Sequence, residues 1–115
     1  MTEPAVDIAT YDALKETTGA EFAVELVNTF LEEAPRMLES LRLSLAQGDA
    51  DAFRRAAHSL KSNSNTFGAL ALGHMARELE LSGVAAVKAA GSAPLTSLES
   101  EYARVADALK ALRDG

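Results

Sequence analysis

Apolar side chains recur three and four residues apart along nearly the whole chain, a spacing that only a helix turns into a continuous buried face. One series runs Phe22, Leu26, Phe30, Ala34, Leu38, Leu41 and Leu45; a second runs Leu72, Met75 and Leu79; a third runs Leu95, Leu98, Tyr102, Val105, Leu109 and Leu112. Glycine, proline and aromatic residues are sparse, with 7 glycines, 3 prolines and 5% aromatic residues, which weakens the main signals for strands and turns. The chain is therefore expected to be all-α.

Local signals divide these stripes into elements. A short helix is predicted from Ile8 to Thr17, followed by Thr18-Gly19-Ala20-Glu21, which has the form of a capping box. The long helix it opens should end at Gly48, with a kink at Pro35, where the missing amide and the ring crowd the carbonyl of Leu31. Asp49 suits the cap of a third helix over 50–65, closed by Phe67 and Gly68, and a fourth is predicted over 69–82. Residues 83–93 are small, and their pattern fits a loop, a turn of helix or a frayed extension equally. Ser92 and Pro94 then start the last helix. Four substantial helices with short connections predict an antiparallel up-down-up-down four-helix bundle with a short additional N-terminal helix, as a single domain over 1–115. The last apolar stripe spans fewer than three heptads, so it is expected to pack inside the domain, leaving a monomer.

Several classes of function are disfavoured. Cysteine is absent, which excludes disulfides, thiolate metal sites and cysteine nucleophiles. A net charge of −6, from 11 Lys and Arg against 17 Asp and Glu, opposes general nucleic-acid binding. MTEPAVDIATY has no basic start and no long apolar run, so neither a secretory signal nor a membrane span is predicted, and a cytoplasmic location is expected.

The segment Arg54 to Ala69, RRAAHSLKSNSNTFGA, is the most informative. With each residue turning a helix by about 100°, Phe53, Ala56, Leu60, Ser64 and Phe67 lie opposite His58 and must face the core. His58 is then displayed to solvent, and Arg54, Arg55, Lys61, Ser62 and Asn65 share its side of the helix. Neutral imidazole, with a reference pKa of about 6.5, carries a ring-nitrogen lone pair near pH 7 and can act as a nucleophile. A phosphoryl group placed there would be offset by Lys61 and the two arginines. No aspartate cluster for Mg²⁺, no glycine-rich phosphate loop and no acid directly following His58 is present, so the chain is not expected to phosphorylate itself. His74, at the edge of its stripe, reads as a space-filling boundary residue, and no metal site is predicted.

These residues resemble a known signature. AHSLKSNSNTFGA is similar to the pattern AH-x-LK-[GS]-x-[SA]-x-x-x-GA of the bacterial histidine-phosphotransfer (HPt) family, and FLEEAPRMLESLR, MARELE and EYARVADALKAL look like the family's flanking helices. The resemblance implies that His58 is the phosphoacceptor and Lys61 its supporting cation. Leu60 and Ser64 would be packing positions and Gly68 the turn. Ser62 stands where most of the family has glycine, and Phe67 is larger than the usual aliphatic residue. What the resemblance implies functionally is a phosphocarrier with no kinase activity of its own. It would take a phosphoryl group from a receiver-domain aspartate and pass it to another receiver, on response regulators and hybrid sensor kinases, with no cofactor of its own and Mg²⁺ supplied by the receiver. The alternative is a helical scaffold that binds a receiver or kinase without being phosphorylated.

Overall fold

The computed structural model describes residues 4–115, which form five helices with no strand among them. Met1–Glu3, the start of the segment expected to lack a leader, lie outside the described residues. The helices are α1 (Ile8–Thr18), α2 (Ala20–Gln47), α3 (Ala50–Thr66), α4 (Leu70–Ala89) and α5 (Ala93–Asp114). α3 packs most extensively on α4 and next on α2, α5 closes against α4 and α2, and α1 rests on α2 and α3.

The cap expected of Asp49 forms, and Asp7, for which no cap was expected, closes the start of α1 in the same way. Asp7 and Asp49 accept the third-residue amides of α1 and α3, from Thr10 at 3.2 Å and Ala52 at 3.1 Å. The capping box at Thr18 does not form. α1 reaches Thr18 itself, whose hydroxyl donates back to the Leu14 carbonyl at 2.8 Å, so Gly19 alone separates the two helices and caps α2 without a side chain. α2 then continues through Pro35 to Gln47, and Gly48 ends it in the left-handed region.

The buried seam of α2 begins one residue later than the apolar spacing suggests. Ala23, Val27, Phe30, Ala34, Leu41 and Ser44 are buried, whereas Phe22 is half exposed. The small Ala23 faces the neighbouring helices and the large Phe22 is turned aside by one residue's rotation. Phe30 joins three elements, its ring 5.2 Å from Phe67 beyond the end of α3 and 6.1 Å from Tyr102 on α5.

The undecided stretch 83–93 also resolves. Gly83, at φ 82° and ψ 170°, breaks the helical path, and a second helical run carries α4 on to Ala89. Val87 is buried and Val84 packs against the core, which anchors a run whose small side chains gave no strong periodicity.

The α3–α4 turn is pinned from outside. The Asp7 amide donates to the Gly68 carbonyl at 2.8 Å, and a Cβ on Gly68 would stand 2.7 Å from the Asp7 carbonyl oxygen. With φ at 82° as well, only glycine fits this turn. The segment before α1 therefore fixes how α4 leaves α3, and that angle decides which α4 side chains reach the middle of α3.

Candidate functional site

α3 presents two opposed faces. Phe53, Ala57, Leu60 and Ser64 are buried, and burying the two large members contributes roughly 1.5–3 kcal/mol each. Ala56, expected on the core face, is only partly covered, and Ala57 takes the deeper place. His58 projects from the other side with its side chain 56% exposed.

Glu80 of α4 completes this surface. One carboxylate oxygen lies 2.9 Å from His58 Nδ1, and the other accepts from Lys61 Nζ at 2.9 Å. The glutamate is 15% exposed, between a more open histidine and a lysine at 25%. The hydrogen bond from Lys61, then that from His58, holds the Glu80 carboxyl below its ordinary value, against the opposing effect of burial. An ionised carboxylate only accepts, so the hydrogen of this contact sits on His58 Nδ1. The neutral ring consequently keeps its lone pair on Nε2, the nitrogen turned away from Glu80.

Sequence reading placed no acid beside His58, and Glu80 is the residue it missed. The signal was present but indirect. His58 lies eleven positions before Ala69 and Glu80 eleven after it, so a tight turn there brings the two side by side on adjoining helices.

The other expected residues are distributed along α3. Arg54 and Arg55 both bond Asp51, at 2.9 and 3.2 Å, so their charge is partly committed one turn before the histidine. Ser62 is exposed one turn after it. Asn65 packs over Gly73 of α4, its carboxamide occupying the space a Cβ there would need, which lets the two helices approach closely. Leu60 and Ser64 are fully buried, and Gly68 forms the turn. His74 is exposed and lies 3.7 Å from Glu78, away from this cluster.

Chemically, the arrangement offers a solvent-facing imidazole in a fixed tautomer, backed by a carboxylate and a cation. Among the described residues no group of three or more His, Asp or Glu side chains could hold a metal ion, and no helix is long and apolar enough to cross a membrane.

Comparisons with known proteins agree with this architecture. The sequence model of the Hpt domain family matches residues 25–115, and the chain belongs to that family. Its structure is similar to the crystal structure of histidine-containing phosphotransfer protein B (HptB) from Pseudomonas aeruginosa PAO1. The TM-score is 0.88 and the identity 31%, over 98% of this chain and 97% of that one. Among curated proteins no significant sequence match is found.

Proposed function

We propose that the protein is a phosphocarrier of a two-component relay that accepts a phosphoryl group on His58 from a receiver-domain aspartate and delivers it to a second receiver. The observation that carries this reading is the exposed His58 ring bonded to Glu80 through Nδ1, which leaves Nε2 as the nucleophile. In the forward step the Nε2 lone pair attacks phosphorus, a P–N bond forms, and the P–O bond to the aspartate breaks with its electrons leaving on the carboxylate. The ring gains a positive charge, which Glu80 offsets while retaining the Nδ1 hydrogen. The same charge makes the ring a good leaving group when a second aspartate attacks.

Lys61 lies one turn along from His58 and is held close by Glu80, so it can swing toward phosphoryl oxygens as they arrive. Ser62 and Asn65 stand further along the same side, where a hydroxyl and a carboxamide can meet the receiver or a phosphoryl oxygen; Arg54 and Arg55 add positive potential from the preceding turn. Mg²⁺ belongs to the receiver's acidic pocket. The proposal includes a monomeric, cytoplasmic carrier built as an antiparallel up-down-up-down bundle, which the short connections between helices support.

The direct test is incubation with a phosphorylated receiver and Mg²⁺. Acid-labile, base-stable label on this chain is expected, whereas a scaffold that only binds the receiver would stay unlabelled. Lys61→Ala is expected to slow transfer by at least about tenfold with the helical circular dichroism unchanged, since its side chain is partly exposed and lies outside the buried seam of α3. Loss of helicity in that variant would instead place Lys61 among the structural residues.

Glu80→Gln is expected to slow transfer as well, and it has a separate signature in stability. A carboxyl whose folded value is depressed contributes stability that is complete above its unfolded value and is lost as pH falls through the folded one. The difference in melting temperature between wild type and Glu80→Gln should therefore persist at neutral pH and close below the ordinary glutamate value of about 4.3. A difference that is the same in acid and at neutrality would contradict an ionised Glu80 in the folded protein.

A further inference from the structure

Where α2 ends and α5 begins, the bundle leaves an open cavity of about 490 Å³. Arg42, Leu45 and Ala46 line it from the last turns of α2, Lys88 from the end of α4, and Leu95 and Glu99 from the start of α5. It includes no residue of α3 and shares none with the His58–Glu80–Lys61 cluster. We propose that this cavity is a binding site for a small amphiphilic monoanion, a free carboxylate carrying an apolar chain; the inference is independent of the carrier reading above.

Small residues at the helix ends explain why the space is there. Ala46 stands in the last turn of α2, and Gly91, at φ 81°, carries the chain from α4 into α5, so two of the positions that border the space have almost no side chain. The α4 run beyond Gly83 is held to the core by Val84 and Val87, and its other side chains apart from Lys88 are alanines, too short to reach across. Leu45 and Leu95, each partly buried and packed on the core, give the cavity an apolar floor. Its volume falls within the roughly 300–1,000 Å³ of small-molecule sites, and an apolar chain lying in it takes that floor out of water.

Charge selects the head group. Arg42 of α2 is paired with Glu99 of α5, so these two lining charges cancel. Lys88 forms no ion pair among the described residues and is exposed at the same opening. One unmatched positive charge therefore borders an apolar floor, on a chain whose net charge is −6. A single carboxylate complements it, an ammonium would be repelled, and a neutral chain would leave the charge unmatched.

The test titrates the full ¹⁵N-labelled chain with octanoate, octanol, octylammonium and acetate. Octanoate should shift the amide resonances around Ala46, Lys88 and Leu95 and leave those around His58 in place. It should bind at least about tenfold more tightly than octanol and about a hundredfold more tightly than acetate. Lys88→Gln should erase the preference for octanoate over octanol, and Lys88→Arg should keep it. Ala46→Trp, at an exposed position, should fill the cavity and abolish binding of both while leaving the melting temperature nearly unchanged. If that variant fails to fold, the Lys88 pair decides by itself. Equal affinity for octanoate, octanol and octylammonium, or octanoate shifts that persist in a folded Ala46→Trp, would overturn the site. A wild-type chain that does not respond to millimolar octanoate would overturn it too, whatever is found at His58.

Discussion

Replacing His58 by glutamine is expected to abolish phosphoryl acceptance from a phosphorylated receiver while leaving the melting temperature nearly unchanged. The glutamine carboxamide can still donate to Glu80, so the local bond to α4 survives, but it has no basic nitrogen with which to attack phosphorus. The side chain is more than half exposed, and substitutions at such positions usually change stability within about 0.5 kcal/mol. Labelling and thermal unfolding measured on the same preparation separate the two effects. Retained label in His58→Gln would move the phosphoacceptor elsewhere.

Leu60→Ala should do the reverse. Leu60 is two residues from His58 but fully buried against the core, and truncating such a residue costs about 2–5 kcal/mol. For a domain of this size that loss lowers the melting temperature by roughly 10 °C or more. His58 stays exposed in the folded fraction, so at a temperature where the variant is still folded, transfer should approach the wild-type rate. An unchanged melting curve would contradict the division of α3 into a buried and a displayed face.

That division was legible before any coordinates because it depends only on helical periodicity and on where large apolar side chains fall. The three-and-four spacing and the punctuating residues placed α3 and α5 nearly to the residue, and Asp49 caps α3 as its side-chain chemistry demands. The errors arise where tertiary packing chooses between local alternatives. Thr18 had two uses for its hydroxyl, and the extension of α1 by one residue took it. Phe22 looked like the head of a seam that the smaller Ala23 in fact begins, since closeness of neighbouring helices there favours the smaller side chain. The tail of α4 was undecidable because alanines and one glycine carry almost no periodic signal, and only burial of Val87 shows its path.

The candidate site follows the same logic. His58, Lys61 and their exposure belong to one helix and could be read from spacing. Glu80 belongs to another helix, 22 residues away, and its place beside the ring depends on the tightness of the Gly68 turn and the close α3–α4 approach over Gly73. Those two glycines set the register of the pair, which a single-helix argument does not contain. Arg54 and Arg55 show the converse, since their proximity to His58 was legible and their engagement by Asp51 required both partners' side-chain positions.

The most direct measurement is nitrogen and phosphorus NMR of the ¹⁵N-labelled protein after phosphotransfer from a receiver. One new P–N coupling is predicted, at Nε2 of His58, with the Nδ1 hydrogen retained toward Glu80. Phosphate found on Nδ1, on His74 or on no histidine at all would contradict the role assigned to that outward-facing nitrogen.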